Sequence, residues 1–416
     1  MNITAAQNAP QPQKYLGAKG LIVLIALLSA FVPLSTDLYL PALPSMSAYF
    51  NVSADLINLT LIGFFVFYAL GTLLWGPLSD KYGRKPILLI GLTLYVLASI
   101  SCANAWNVYV LILFRILQAV GGSAAGAIAT AIVKEVYQGR QRESVLAMVQ
   151  SMVLISPALA PVLGAFLMGF TSWHGIFWSL SIIGVLALAG TLLFQETITE
   201  RVSGNVQQSL LRLGRVLQNR SFTSMLILFS LLSISSMAFI ASSTYIYQNG
   251  FHLSNRVYSY YFSLNALGFI YGPMLYLQLS RRIHYKVIIP ACFIVIVASG
   301  LLVALLGNLQ PWVFALCILP ASIAGSCVRP PSANLMLGQH VGDAGSVSSL
   351  MGCIGLLFGS LGVELVSLNW SNLVLVLGCM NIISGVLCII FWPGIYRKAK
   401  KIDDLEPVMK LAASSD

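Results

Sequence analysis

The sequence predicts an all-α polytopic membrane protein with twelve transmembrane helices in two pseudo-symmetric six-helix halves. Three observations lead there. Of 416 residues, 58% are hydrophobic and 9% charged, against about 25% charged in a typical soluble domain, so most of the surface must face lipid. Apolar runs of bilayer-crossing length, about 20 residues, recur twelve times. Basic residues fall in alternate gaps between those runs, as they do when charge sets topology.

The runs come in order. Lys14 and Lys19 precede an apolar stretch from Leu21 to Ser35. No small-residue cleavage site follows it, and Pro33, Asp37, Pro41 and Pro44 come instead, so it reads as a retained first span and not a secretory signal. Further spans are predicted near 56–77, 87–104, 107–133, 144–169 and 174–194, the first covering 19–40. A polar stretch interrupts the pattern, and six more spans follow near 221–247, 256–279, 287–306, 311–337, 344–367 and 370–393. The predicted organisation is a tail at 1–18, a first bundle at 19–194, a linker at 195–220, a second bundle at 221–393 and a tail at 394–416.

Charge tests the count. With both termini cytoplasmic, the inner segments hold 20 of the 23 Lys and Arg residues. Arg256 falls at an outer helix end, and Arg115 and Arg329 fall within spans. A miscounted helix would invert every later loop and spoil the alternation. The net charge of +10 is scattered in small groups, whereas a nucleic-acid reader gathers its cations on one face; nucleic acid is not an expected partner. The seven cysteines lie in or beside apolar runs without CxxC pairs or nearby histidines, so metal and disulfide roles are not expected. No nucleophile–base set, phosphate loop or metal spacing is found. No enzyme activity or cofactor is therefore expected.

The halves echo each other. Gly76-Pro77 is matched by Gly272-Pro273, and Ser79-Asp80-Lys81-Tyr82-Gly83-Arg84-Lys85 by Ser280-Arg281-Arg282-Ile283-His284-Tyr285-Lys286. Two parallel six-helix halves suit a carrier that exposes a midplane site to each side in turn.

Asp37 is the acidic residue of the first span. A carboxylate there costs about 2.5–3.5 kcal/mol on insertion scales, which argues for a task or a partner. An apolar shield favours the neutral form of a carboxyl and a nearby cation the charged form, so a site with both can exchange a proton when either changes. The alternative is a cap at a wet outer helix end. Arg115 in the fourth span is the expected partner, and Gln118, one turn on, shares its face; a purely structural ion pair is the other reading. Small residues from Gly121 to Gly126 allow close helix approach. Between spans 2 and 3, Gly76, Asp80, Gly83 and Arg84 are expected to form a gating loop: Gly83 makes the tight turn and Asp80 the ion pair that closes it. In span 5, Pro157 and Pro161 permit bending and Gly164 close packing. Tyr39, Phe65, Tyr68, Gln118, Tyr245, Tyr261 and Asn265 are candidates to line an apolar cavity, although packing and lipid contact compete for each aromatic. Glu364 is expected at a wet helix end, and Arg329 to snorkel inward.

The string from Gly76 to Pro86 resembles the loop signature of the major facilitator superfamily, and the Arg115 segment that superfamily's helix 4 signature, associated with proton coupling. Ser156-Pro157-Ala158-Leu159-Ala160-Pro161 resembles its antiporter motif, with Ser156 in place of the usual glycine. Ser35-Thr36-Asp37-Leu38-Tyr39-Leu40-Pro41-Ala42-Leu43-Pro44 and Ser172-Trp173-His174-Gly175-Ile176-Phe177-Trp178 are similar to hallmarks of the Bcr/CflA drug-resistance family, as is the Lys134-Glu135-Val136-Tyr137 ending. The matches are dense in the first half; the second half follows by hydropathy. The resemblance implies a proton-coupled antiporter that exports small lipophilic compounds across a bacterial inner membrane, working as a monomer with protons as coupling ion and the bilayer as surroundings. The alternatives are an exporter dedicated to one metabolite, such as a siderophore or amino-acid derivative, and a proton-independent facilitator or sensor.

Overall fold

A computed structural model describes residues 13–137, 139–198, 206–339 and 344–403. Glu200 and Arg201 of the predicted linker, His340 ahead of the predicted eleventh span and Lys410 of the predicted tail lie outside the described residues, as do other parts of both tails and of the linker. Every regular element among the described residues is a helix. In lipid each backbone N–H and C=O must be satisfied within its own segment, and a continuous helix does this for an apolar run. The chain divides into two compact units at Ser209–Leu210.

The first unit contains α1 (Gly17–Asp37), α2 (Leu43–Phe50), α3 (Ala54–Tyr82), α4 (Arg84–Ala103), α5 (Val108–Val136), α6 (Gly139–Met168) and α7 (Trp173–Leu193). Helix α5 packs on α3 and α4, α4 also packs on α7, and α1 lies against α5 and α6. Leu24, Leu28 and Phe31 of α1 meet Leu88, Leu92 and Tyr95 of α4 and Ile128 and Ile132 of α5 in one buried cluster. Asn107 caps α5 by accepting from the Val110 N–H at 2.8 Å, satisfying one of the donors a helix start leaves open. Two assignments change. The first span ends at Asp37 and is followed by a short 3-10 turn, Leu40–Ala42, where prolines 41 and 44 interrupt the helix. Helix α3 runs through Pro77 to Tyr82, so Gly76 and Asp80 sit on a helix and not in a loop. Helix α6 is continuous through Pro157 and Pro161.

The polar linker holds a thirteen-residue helix, α8 (Val206–Gln218). Its charges conceal a helical period: Val216 is buried while Arg212 and Arg215 are exposed. The second unit continues with α9 (Arg220–Thr244), a π turn at Tyr245–Gly250, α10 (Asn255–Leu279), α11 (Tyr285–Leu306), α12 (Pro311–Cys327), α13 (Arg329–Leu337), α14 (Ala344–Ser367) and α15 (Leu373–Asp403). The predicted tenth span is realised as one length, Pro311–Leu337, divided into α12 and α13 by a one-residue interruption at Val328, ahead of Pro330 and Pro331, which lack an N–H for the helix ladder.

Within each unit the same close approaches recur. A β-carbon on Gly71 would lie 2.1 Å from the Ser123 hydroxyl, and one on Gly272 2.0 Å from that of Ser326. One on Gly164 of α6 would lie 1.9 Å from the Leu38 carbonyl, and one on Gly362 of α14 2.0 Å from that of Ile234. Lipid gives helices no hydrophobic drive to associate, so close backbone packing at small residues holds them together. Nine described helices are long and apolar enough to span, or ten when the bent pair around Pro33 is one span. With α6 and α10 in sequence, the pattern is consistent with six spans in each half.

Candidate functional site

Asp37 and Arg115 are both buried in the first unit, at 5% and 0% exposure. Asp37 closes α1, and its carboxylate accepts a hydrogen bond from the Thr36 hydroxyl at 3.0 Å. The expected contact with Arg115 is not formed: among the described residues the ion pairs join Arg84 to Asp80 and to Glu135. The Arg115 guanidinium instead donates to the Ser35 carbonyl at 3.1 Å and to Gln118 Oε1 at 2.6 Å. Its Cζ lies 4.4 Å from the ring centres of both Tyr39 and Phe64, and 5.7 Å from that of Phe177. Two of its nitrogens, Nε and Nη2, have no hydrogen-bond partner. Ring faces stabilise a desolvated cation, which accounts for a full positive charge enclosed without a carboxylate. The cation is thus anchored to backbone two residues before Asp37.

Gln118 extends this contact into a chain. Its amide donates to the Ser99 hydroxyl at 2.8 Å, which donates to the Tyr95 carbonyl at 2.7 Å, while the Tyr95 and Ser35 hydroxyls share a 2.7 Å bond. Tyr39 Oη bonds the Thr60 hydroxyl at 2.9 Å. Helices α1, α3, α4 and α5 therefore meet in one buried polar network. The sequence reading named Asp37, Tyr39, Arg115 and Gln118 but missed Tyr95, Ser99 and Thr60. Ser99 and Thr60 carry no charge to mark them; only their burial within spans could have drawn notice. Gly164 brings the α6 backbone against Leu38, the residue after Asp37, so its close-packing role is realised next to the carboxylate.

The other cavity candidates separate. Phe65 and Tyr68 are buried beside Phe64, with Tyr68 stacked on it at 5.9 Å. In the second unit Tyr261 stacks on Tyr247 at 5.2 Å, and Tyr245 is buried at the π turn. Asn265 is fully buried; its amide donates to the Tyr261 carbonyl at 3.2 Å and its Oδ1 has no partner. A 390 Å³ apolar groove between α10, α11 and α12 includes none of these residues.

At the α3–α4 junction Gly83 has φ +106°, a region closed to most side chains. Arg84 bridges Asp80 at 2.6 Å and Glu135 at 2.7 Å. Glu196, which the sequence reading left in the linker, accepts the backbone N–H groups of Arg84 at 3.0 Å and Lys85 at 3.1 Å. A carboxylate at a helix N-terminus both caps open donors and opposes the positive end of the dipole. Glu135 is held in turn by the Thr197 hydroxyl. The junction is a clamp of α3, α4, α5 and the segment after α7.

With this geometry in view, the profile of the Major Facilitator Superfamily matches residues 25–363. The chain belongs to the major facilitator superfamily. This transporter is 30% identical to the uncharacterized MFS-type transporter YdgK of Bacillus subtilis, covering 88% of this chain and 93% of that one. It is 28% identical to the chloramphenicol resistance protein of Pseudomonas aeruginosa (88% and 90% covered) and 24% identical to the bicyclomycin resistance protein homolog of Haemophilus influenzae (82% and 88%). Among solved structures, the peptide transporter POT in complex with sulfate aligns over 94% of this chain and 98% of its own. Its TM-score is 0.73 at 13% identity, a likeness of fold alone. As a member of this superfamily the protein is a multi-pass carrier of small molecules, not an enzyme.

Proposed function

We propose that this transporter is a proton-coupled antiporter that exports small lipophilic compounds, with Asp37 as the proton carrier. One observation carries the reading: an aspartate sealed inside the first unit, with a hydroxyl partner and no cation within ion-pairing distance among the described residues. A carboxylate so enclosed rarely occurs in a span without a task. In the proposed cycle Asp37 takes a proton from the outer side as substrate leaves. It gives the proton up on the inner side, where the charged carboxylate turns towards Arg115 and substrate binds. The guanidinium is near enough to participate, being bonded to the Ser35 carbonyl, and its two unpartnered nitrogens offer the donors a charged carboxylate would need. Each entering proton supplies about 2.3 kcal/mol per 100 mV, enough for about a fifty-fold substrate gradient. The resistance proteins named among its relatives support drugs or toxic compounds as the cargo class.

The test is Asp37→Asn in everted vesicles supplied with a chloramphenicol or bicyclomycin gradient assay. Expected is loss of proton-driven export with normal membrane insertion and melting temperature. Undiminished export by this variant refutes the role. Proton release from purified protein on adding the exported compound is the complementary readout, and it should vanish in the same variant.

A further inference from the structure

Arg329 is the first residue of α13, in the later part of the tenth span, Pro311–Leu337. It is exposed, and among the described residues its guanidinium has neither a carboxylate within ion-pairing distance nor a hydrogen bond. It opens on a 60 Å³ pocket with Ser233 and Ser236 of α9 and Ser332 of α13, backed by Phe229 and Leu232. The two α9 serines lie deep in their span. Ser233 and Ser236 are thirteen and sixteen residues beyond the start of α9 at Arg220, about 20 and 24 Å along a helix that rises 1.5 Å per residue. Arg329 lies eight residues before the end of α13 at Leu337, about 12 Å inside the span, where a cation is expensive unless something uses it.

We infer that this pocket seats the anionic oxygen group of an otherwise apolar solute. The inference rests on the transport reading above and narrows its substrate class to amphipathic acids. Size supports a headgroup site: the pocket holds about two water volumes, room for a carboxylate and far less than the roughly 300–1,000 Å³ of a whole drug-sized ligand. Chemistry supports an anion. The planar guanidinium matches the two oxygens of a carboxylate, and charge-assisted hydrogen bonds of this kind are roughly twice as strong as neutral ones. The serine hydroxyls can follow. Ser236 now donates to the Leu232 carbonyl at 3.0 Å and Ser332 to the Arg329 carbonyl at 2.9 Å, both bonds that a χ1 rotation releases. Ser233 lies beside them in the pocket wall, and the aromatic face of Phe229 suits the apolar body that would follow the headgroup.

The experiment uses the full-length protein in nanodiscs of phosphatidylcholine, with equilibrium binding of 2-naphthoate and of its neutral counterpart 2-naphthamide. Naphthoate should bind the wild type and bind Arg329→Gln at least about tenfold more weakly, the loss expected for one charge-assisted contact. Arg329→Lys should fall between them, and naphthamide should not distinguish the three. Unliganded melting temperatures identify any variant that fails to fold, and Arg329→Lys then carries the comparison. Equal naphthoate affinity in wild type and Arg329→Gln overturns the inference, as does equal binding of the neutral amide. Competition by inorganic phosphate at the same affinity overturns it in favour of a small-ion site. Loss of naphthoate binding when phosphatidylglycerol replaces phosphatidylcholine overturns it in favour of a lipid headgroup site. Naphthoate binding that persists in Asp37→Asn, while export is lost, supports the pocket and shows that it and the proton site fail separately.

Discussion

Gly164→Ala is the sharpest structural test of how the carboxylate is held. The added β-carbon would lie 1.9 Å from the Leu38 carbonyl oxygen and 2.9 Å from its carbon. Ordinary contact begins near 3.4 Å, so α6 and the end of α1 must part by about 1.5 Å. Backbone is what the methyl meets, so no side chain can turn aside. Overpacking of this kind costs about 1–3 kcal/mol. Leu38 adjoins Asp37, and displacing a reacting group by about 1 Å can cost about 10²-fold in rate. Melting of the purified variant in detergent and export from everted vesicles measure the two effects. Gly362→Ala, 2.0 Å from the Ile234 carbonyl, should lose similar stability. Gly214→Ala, with nothing within 4 Å of its β-carbon, should be neutral or gain up to about 1 kcal/mol from helix propensity. A Gly164→Ala protein that melts and pumps like Gly214→Ala refutes the reasoning.

Three further outcomes are expected. Gln118→Leu strips Arg115 of its 2.6 Å acceptor and Ser99 of its donor; a loss of about 1–3 kcal/mol should appear in melting, together with weakened export, and unchanged values would mean the polar chain is dispensable. Glu196→Ala leaves the Arg84 and Lys85 N–H groups open and should cost about 0.5–2 kcal/mol, the range for a lost helix cap, whereas Glu196→Gln keeps an acceptor and should recover part of it in the same melts. Gly83→Ala combines φ +106° with a β-carbon 2.5 Å from Glu196 Oε2; it should lower stability by about 1–3 kcal/mol for a strained backbone, and a melting point at the wild-type value would show that the turn relaxes freely.

The fold was legible because lipid imposes a simple rule: runs from Leu21 or Tyr285 must become helices, and their ends carry the cations. What was not legible follows from packing. The interruption at Val328 depends on Pro330 and Pro331 falling late in a span that hydropathy shows as one apolar run. Helix α8 was hidden because its two arginines and three glutamines read as polar linker, although Val216 is seated. At the site, charge made Asp37 and Arg115 visible, but it could not show that Arg115 turns to Ser35, Gln118 and two aromatic rings instead of the carboxylate. Neutral partners such as Thr60 and Ser99 look like any other hydroxyls until neighbouring helices surround them. The task of Glu196 could not be read from the linker because its role, capping α4, is fixed by a helix 111 residues earlier in the chain.

The recurring glycine contacts carry an evolutionary implication. Counting from them, Ser233 holds in the second unit the place of Asp37, one residue before the carbonyl that meets a glycine, and Ile318 the place of Arg115, eight residues before the serine that meets another. A duplicated ancestor would have bequeathed the joints of the scaffold to both halves while leaving the occupants of equivalent positions to diverge. Under the proposed function one descendant would handle protons and the other would be free for a different ligand, because selection on backbone proximity and selection on chemistry act on separate residues.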